Sequence, residues 1–399
     1  MRNLLILVAA IATFDALFFA ALAPMLPLYT GEVGLSKTDA GILTACYGAG
    51  VLSGALPGGL ATRVSVKWTV VAGLALMSAS SVVFGLSHAI WLLDVARFTQ
   101  GVGGAVSWTG GLVWLFAAVP AGRRGEALGI VLGAAIGGSL IGPLLGAGAA
   151  TLGVLPVFGA VALAGVILAL VALRMPTPER GAPSTDRPLA VIAGAMRQRL
   201  VLTGLWITGL SAFAAGVISV LAPLTLAELG YGATAIGLAF LAAGLVSAVA
   251  SPIAGRWADR VGPVGPIAWF LFGGLLAVLL VPWVKDPFLL AAVIAAGSVA
   301  FGTVLAPGMA MYWDGVASSG LDEGLGFGLM YVGWAPGQVI GAAIAGTLAA
   351  LLDLAVPYLI VACACLVTLV GLRRAGARLR VEVAAARLPA PATGSPTPR

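Results

Sequence analysis

Residues 4–29 read LLILVAAIATFDALFFAALAPMLPLY, a stretch whose one charged side chain is Asp15. At about 1.5 Å per residue, Asp15 lies on the order of 17 Å along a helix that begins near residue 4. This depth is close to the middle of a hydrocarbon layer about 30 Å thick. A carboxylate there is costly unless it is protonated, paired or facing a watered cavity, and such acids commonly mark ion pathways. The stretch predicts a membrane-spanning helix whose Asp15 binds a cation or a proton.

The composition indicates a polytopic membrane protein. The chain has 399 residues, of which 60% are hydrophobic and 9% are charged, whereas soluble domains carry about 25% charged residues. The net charge of +6 comes from basic residues in short loops, so it indicates membrane topology rather than a nucleic-acid partner. The three cysteines fall within apolar spans and predict neither a disulfide nor a metal site. We expect no cofactor.

Twelve apolar spans, separated by charged or turn-forming segments, predict an all-α membrane fold of two pseudo-symmetric six-helix bundles. We place the first bundle at residues 1–173 and the second at 200–372. The Pro- and Arg-rich segment 174–199 is expected to be a linker loop, and 373–399 a disordered tail.

The basic residues predict the orientation of these spans. Of the 21 Lys and Arg residues, only Lys37 and Lys285 fall on one side of the predicted membrane, and Arg97 falls inside a span. All the others lie in loops and termini on the opposite side. The positive-inside rule therefore places both termini and the 174–199 loop in the cytoplasm, with the chain in the plasma (inner) membrane.

Sequence similarity between the halves, together with short motifs, makes the architecture more specific. Residues 255–262 read GRWADRVG after the eighth span, and 58–65 read GGLATRVS, a degenerate copy, after the second. The fourth span carries RFTQGVG at 97–103, and the fifth carries GSLIGPLLG at 138–146. These stretches resemble the G-x-x-x-D-R-x-G, R-x-x-Q-G-x-G and G-x-x-x-G-P-x-x-G signatures of the major facilitator superfamily. Within it, the chain resembles the twelve-helix drug:proton antiporters of the vesicular amine transporter type.

The resemblance implies a role for Asp15, because in that family the acid of the first helix contacts a cationic amine. The spacing from Asp15 to Pro24 and Pro27 is part of the resemblance. The vesicular relatives carry further acids in the tenth and eleventh helices, whereas residues 288–311 and 324–350 contain none here. Parallel six-helix repeats imply a substrate site between the halves, near the membrane midplane.

The fifth span carries a stripe of small residues. Gly138, Gly142 and Gly146 recur every four residues, so a neighbouring helix can approach this face closely. Pro143 removes a backbone hydrogen bond and bends the helix. We interpret these four residues as a hinge that seals the halves against ion leak; ordinary packing is the alternative.

Asp259, at the end of the eighth span, is expected near the start of the fifth span, where a helix N-terminus and arginines stabilise a carboxylate. We interpret this contact as a latch that closes the cytoplasmic side in the outward-open state; a solvated loop acid is the alternative. The predicted gating residues are Gly255, Asp259, Arg260, Gly262, Arg63, Arg123 and Arg124.

Asp94 and Arg97 lie three residues apart in the fourth span and share a helix face. A buried arginine in a membrane needs a partner. Together with Gln100 of the same motif, they are candidates for a proton relay or conformational switch coupled to Asp15. A static Asp94–Arg97 ion pair that orients the helix is the alternative.

Aromatic faces attract organic cations, so aromatic residues of the spans are candidates to complete a substrate site around Asp15. Taken singly, such residues more often pack in a core or face lipid. The candidates are Phe18, Trp108, Trp206, Phe213, Tyr331 and Trp334.

The sequence shows no nucleophile–base pair, metal cluster or phosphate-binding loop, and we expect no enzymatic activity. The patterns favour a monomeric secondary active transporter that exports a small amphipathic, cationic compound in exchange for protons, by alternating access. A facilitator or importer of a sugar or other metabolite, with a structural Asp15, is the first alternative. A membrane receptor or enzyme scaffold is the more remote one. The expected partners are the substrate, protons and the lipid bilayer.

Overall fold

The computed structural model describes residues 1–120, 123–176, 188–319, 321 and 323–386, with the backbone alone at 55–64, 125, 188–190, 323–325 and 327. Throughout these ranges the regular secondary structure is helical. The helices are α1 Arg2–Ala21, α2 Leu26–Glu32, α3 Lys37–Val64, α4 Val66–Leu86, α5 Ile90–Ala118, α6 Arg124–Leu152, α7 Val154–Arg174, α8 Pro188–Ala195, α9 Arg199–Glu228, α10 Ala233–Val261, α11 Val264–Leu280, α12 Pro287–Ser319, α13 Glu323–Leu351 and α14 Ala355–Ala386.

The predicted twelve-helix membrane fold is confirmed. In the described ranges, 11 helical segments are long and apolar enough to cross a membrane. The first, Arg2–Glu32, consists of α1 and α2 joined by a 3₁₀ turn at Ala23–Met25. Helix α3, with 28 residues, supplies the twelfth span. The short α8 lies between the two sets of six.

Local sequence explains where several helices begin and end. Pro24 lies in the first turn of the 3₁₀ segment that follows α1, where its missing N–H costs no helix hydrogen bond. The Ser65 hydroxyl caps α4 by accepting a hydrogen bond from the N–H of Trp68. Gly262 ends α10 with a φ of 85°, a left-handed conformation that glycine adopts without steric cost. The last glycine of the 255–262 motif is thus a helix terminator.

Contacts between helices define two bundles and the seam between them. In the first bundle α1 packs on α6, α3 on α5, and α4 on both α5 and α7. In the second, α9 packs on α12 and α13, and α11 on α12 and α14. The most extensive contacts across the seam are those of α3 with α13 and of α6 with α10. The space enclosed by these four helices is where a site between the bundles can form.

The end of the predicted linker is anchored on the second bundle. Residues 177–187 of the linker lie outside the described part, but α8 follows them directly. Ala195 of α8 is buried in a small apolar cluster with Tyr312 and Val316 of α12. The Ser318 hydroxyl donates a hydrogen bond to Gln198 Oε1 at 2.9 Å.

The last helix is longer than predicted. Helix α14 continues to Ala386, so the prediction of disorder is wrong for residues 373–386. Leu379 and Val383 are buried, and Arg199 Nη1 lies 3.5 Å from Glu382 Oε1. The arginine-rich composition conceals apolar residues at helical spacing, which pack against the bundle. Residues 387–399 of the predicted tail lie outside the described part.

Candidate functional site

Asp15 lies on α1 and faces α3 and α5. The Tyr47 hydroxyl, on α3, donates a hydrogen bond to Asp15 Oδ1. Gly104 of α5 makes room for the carboxylate, since a Cβ there would collide with Asp15 Oδ1. Asp15 is half-buried, so part of its surface stays accessible. The carboxylate is thus oriented by a neutral donor and retains room for a proton or a ligand.

Arg97 extends this network from α5. Its guanidinium carbon lies 4.7 Å from the centroid of the Tyr47 ring, within the range of a cation–π contact. Its Nη1 donates to the Phe18 carbonyl oxygen at 3.1 Å and to Gln100 Oε1 at 3.0 Å. Arg97 is 2% exposed. A buried cation therefore lies one side chain away from Asp15, with Tyr47 between them.

The predicted static ion pair of Asp94 with Arg97 does not form in the described part of the chain, where the ion pairs are Lys37–Glu228, Arg123–Glu126 and Arg199–Glu382. Arg97 is directed toward α1 and Gln100, whose oxygens satisfy its Nη1. Asp94 Oδ1 is buried, and none of the described groups hydrogen bonds to it. Sharing a helix face is thus insufficient for pairing when a neighbouring helix offers a closer acceptor.

Phe19 connects the surroundings of Asp15 to the second bundle. Its ring centroid lies 5.6 Å from that of Tyr47 and 5.4 Å from that of Trp334, on α13. Tyr331, one turn before Trp334, lies within electrostatic range of Asp15. Of the predicted aromatics, Trp334 thus packs on Phe19, and Tyr331 lies close enough to Asp15 for an electrostatic interaction. Sequence reasoning missed Phe19 and Tyr47, although Phe19 follows Asp15 by four residues and shares its face.

Other predicted aromatics lie elsewhere. Phe18 is fully buried, with its ring 5.0 Å from Phe14 and 5.9 Å from Phe158. Trp206 is 55% exposed on the outside of the second bundle, where its Nε1 donates to Thr368 Oγ1 at 2.9 Å. Helix rotation turns both side chains away from the seam, and neither lines the cavity between the bundles.

The two remaining predicted aromatics are Trp108 and Phe213. Trp108 is buried on α5, one helical turn from Gly104. Phe213 is half-buried on α9, and its carbonyl oxygen packs against Gly341 of α13. Neither residue lines the cavity described next.

A cavity of about 240 Å³ lies between the bundles. On the first-bundle side its wall includes Phe19, Thr44, Arg97, Ser139 and Pro143. On the second-bundle side it includes Ser211, Ser219, Phe240, Ser247, Phe301, Trp334 and Gln338. Asp15 itself does not line this cavity, but Phe19, one helical turn further along α1, does, and its ring packs on the Tyr47 that holds Asp15. The wall is mostly apolar with a few polar groups, as is usual for small-molecule sites.

The glycine stripe of α6 packs directly on α1. A Cβ at Gly138 would collide with the Thr13 carbonyl, and one at Gly142 would lie 2.6 Å from Ala20 Cβ. The predicted close helix approach is confirmed; its role as a hinge remains a prediction. Pro143 lines the cavity.

A second stripe, missed in the sequence, lies on α13. Gly333, Gly337 and Gly341 recur every four residues, as in α6, and Pro336 lies among them. Gly337 and Gly341 press on the carbonyls of Gly209 and Phe213 of α9. The repeated G-x-x-x-G spacing was the available signal.

The bundles meet on the side where α2 ends and α3 begins, which we term the far side. There, a Cβ at Gly41 of α3 would lie 3.1 Å from Gly346 Cα of α13. A Cβ at Gly237 of α10 would lie 2.8 Å from the Pro143 carbonyl oxygen of α6. Both seam pairs are therefore in backbone contact on the far side, where Lys37 Nζ also lies 3.0 Å from Glu228 Oε1.

The seam opens toward the terminal side, where α1 begins and α14 ends. Gly129 and Gly133 of α6 and Gly255 of α10 have open space where a side chain would be. Ser139, which lines the cavity, is exposed. The far side is thus closed by backbone contact, whereas the described parts of α6 and α10 leave space between them and their surroundings on the terminal side.

The predicted gating residues lie around this opening. The Arg123 Nε–H donates a hydrogen bond to Glu126 Oε2 at 2.9 Å. The Arg124 guanidinium lies 5.9 Å from the Phe116 ring centroid. Asp259 and Arg260 end α10 and are exposed. The Arg63 side chain lies outside the described residues. The latch itself stays a prediction.

Comparisons with known proteins agree with this architecture. The sequence model of the Major Facilitator Superfamily matches residues 8–316 and 204–397. "Multidrug resistance protein MdtG" of Proteus mirabilis is 28% identical over 286 residues, covering 66% of this chain and 68% of that protein. The protein of the same name from Dickeya zeae is 27% identical over 298 residues, covering 70% and 71%.

A solved structure shares the fold. It is a bacterial homologue of the human lysosomal transporter Spinster, in an inward-facing and unoccupied conformation. The TM-score is 0.75 at 15% identity, and the match covers 98% of this chain and 99% of the other.

Proposed function

The chain belongs to the major facilitator superfamily, and we propose that this transporter exports a small amphipathic organic cation in exchange for protons. The observation that carries the proposal is the half-buried Asp15, which is held by the Tyr47 hydroxyl and lies next to a cavity between the bundles. The relatives named multidrug resistance proteins support a drug-like substrate.

Exchange follows from competition for one carboxylate. A cation bound at Asp15 and a proton on Asp15 each relieve the cost of a buried negative charge, but together they do not. Binding of either therefore weakens binding of the other, and the two effects are equal. Tyr47 donates to the carboxyl in both cases and so holds its position.

Alternating access requires that the far-side contacts separate while the terminal side closes. Gly41 of α3 and Gly237 of α10 allow the backbones of each seam pair to touch and part without a side chain of their own in between. In this structure the cavity faces the side that the positive-inside rule assigns to the cytoplasm, as expected of an exporter that loads there.

A facilitator that binds a neutral metabolite is the second candidate. It is favoured by one feature, since the Tyr47 hydrogen bond would also satisfy a purely structural, protonated Asp15. Flux into proteoliposomes separates the two: an exchanger accelerates ethidium or methyl viologen uptake when a pH gradient is imposed. A facilitator instead transports one sugar from a panel of test sugars, at a rate that does not depend on the pH gradient.

The orientation is tested by cysteine labelling in a background without Cys46, Cys363 and Cys365. His88→Cys, in the turn before α5, should react with a membrane-impermeant maleimide in intact cells. Met196→Cys, before α9, should react only after the cells are opened. The reverse pattern would contradict cytoplasmic termini.

The latch predicts that Asp259→Asn shifts the protein toward the state seen here. Loss of a charge–dipole contact contributes about 0.3–1 kcal/mol, so the closed-to-open ratio on the terminal side should change by about two- to fivefold. Maleimide labelling of Ser139→Cys, which reports on the cavity, should rise accordingly. Arg256→Gln, nearby on α10, serves as a charge control. Unchanged labelling would make Asp259 a solvated loop acid.

A further inference from the structure

The second-bundle wall of the cavity contains polar groups that nothing in the described chain satisfies. Gln338 is 1% exposed, and neither its Nε2 nor its Oε1 has a hydrogen-bond partner. Ser211 is 2% exposed, and its Oγ likewise has none among the described residues. Both residues line the cavity. Buried polar groups without partners are costly in a membrane interior, so a ligand that hydrogen bonds to these atoms would be stabilised.

The two residues line the same cavity, and the helix packing places them at a similar height along it. Gly337 and Gly341 of α13 contact the carbonyls of Gly209 and Phe213 of α9, so the two helices run parallel with this register. Ser211 of α9 therefore lies at nearly the same height as Gln338 of α13. The carboxamide offers a donor and an acceptor in one plane, and the hydroxyl adds a further donor or acceptor.

Two other serines of the cavity wall differ, because their own helices satisfy their hydroxyls. Ser219 donates to the Gly216 carbonyl at 3.0 Å, and Ser298 donates to that of Ile294 at 2.9 Å. Within the described second-bundle wall, Gln338 and Ser211 are the residues whose buried polar atoms have no partner. The charged groups, Arg97 and the neighbouring Asp15, belong to the opposite bundle.

We propose that Gln338 and Ser211 form a neutral hydrogen-bonding subsite that recognises a secondary carboxamide, or a group of like donor–acceptor pattern, on the substrate. This inference rests on the proposed function, since the cationic end of the same substrate would lie toward Asp15. The substrate class becomes an amphipathic amine whose other end carries an amide.

A matched pair of compounds tests the subsite. Procainamide and procaine are tertiary amines of similar shape that share an aromatic amine; the first has a linking amide where the second has an ester, which has no N–H at that position. Equilibrium dialysis with the purified protein, at one pH and without a gradient, should give procainamide the tighter binding, by about three- to tenfold for one neutral hydrogen bond. Gln338→Met and Ser211→Ala should each reduce this preference.

Ser219→Ala is the control, because its hydroxyl is already engaged, and it should keep the wild-type preference. Without ligand, the Gln338→Met protein should be at least as thermally stable as wild type, because it loses polar atoms without partners. Equal binding of the two compounds by wild type, no measurable binding of procainamide, or an unchanged preference in both variants would overturn the subsite. Failure of the proposed function gives a different result. The preference for procainamide would persist, but the protein would not exchange protons for a cation.

Discussion

Asp15→Asn should abolish pH-driven uphill uptake of ethidium while leaving the protein folded in the membrane. Asparagine keeps the size of the side chain and can still accept a hydrogen bond from the Tyr47 hydroxyl, but it removes the charge. Interactions with a charged partner contribute about 1.5–3 kcal/mol, so ethidium affinity should fall by at least about tenfold. The remaining affinity should no longer depend on pH, which transport and binding assays at several pH values measure.

Asp94→Asn is the matched control, since Asp94 is also a partly buried acid of the first bundle, but its Oδ1 has no hydrogen-bond partner among the described residues. We expect its uptake to keep a pH dependence. Asp15→Asn protein that still concentrates ethidium against its gradient would contradict the proposed exchange.

Gly142→Leu should give normal membrane insertion with transport reduced by at least about tenfold. A Cβ at Gly142 already lies 2.6 Å from Ala20 Cβ and 2.7 Å from the Leu17 carbonyl oxygen, so a branched side chain must force α1 and α6 apart. Overpacking of this kind costs about 1–3 kcal/mol. Because α1 carries Asp15, the displacement reaches the site directly.

Gly133→Leu is the control on the same helix, at a glycine with open space around it. Its ethidium uptake should stay near the wild-type rate. Full activity of Gly142→Leu would reduce the stripe to ordinary packing, and equal loss in both variants would indicate a general intolerance of bulk in α6.

Much of the fold could be predicted because membrane spans depend on local composition and length. Short stretches of sequence are enough to identify the apolar runs, the breaks after Glu32 and Gly262, and the glycine period of α6. The prediction of disorder for residues 373–386 fails because arginines dominate the composition there. Leu379 and Val383 nevertheless have helical spacing.

The site could be predicted only in part, because it depends on how helices rotate against each other. Asp15 and Arg97 stand out as charges in apolar spans, but the Tyr47 that links them is ordinary in sequence. Phe18 and Phe19 are neighbours in the chain, yet only Phe19 lines the cavity. Gln338 becomes a candidate only in the structure, because its buried carboxamide has no hydrogen-bond partner among the described residues.

The central claim is that protons and a cation exchange at Asp15. Proteoliposomes that contain a pH-sensitive dye report on this directly when ethidium, a permanently charged probe, is added outside. We expect that ethidium entry drives protons out, so that the lumen becomes more alkaline with the wild-type protein. Neither Asp15→Asn protein nor protein-free liposomes should show this change. Ethidium entry through wild type without a change in luminal pH, or an equal change with Asp15→Asn, would contradict it.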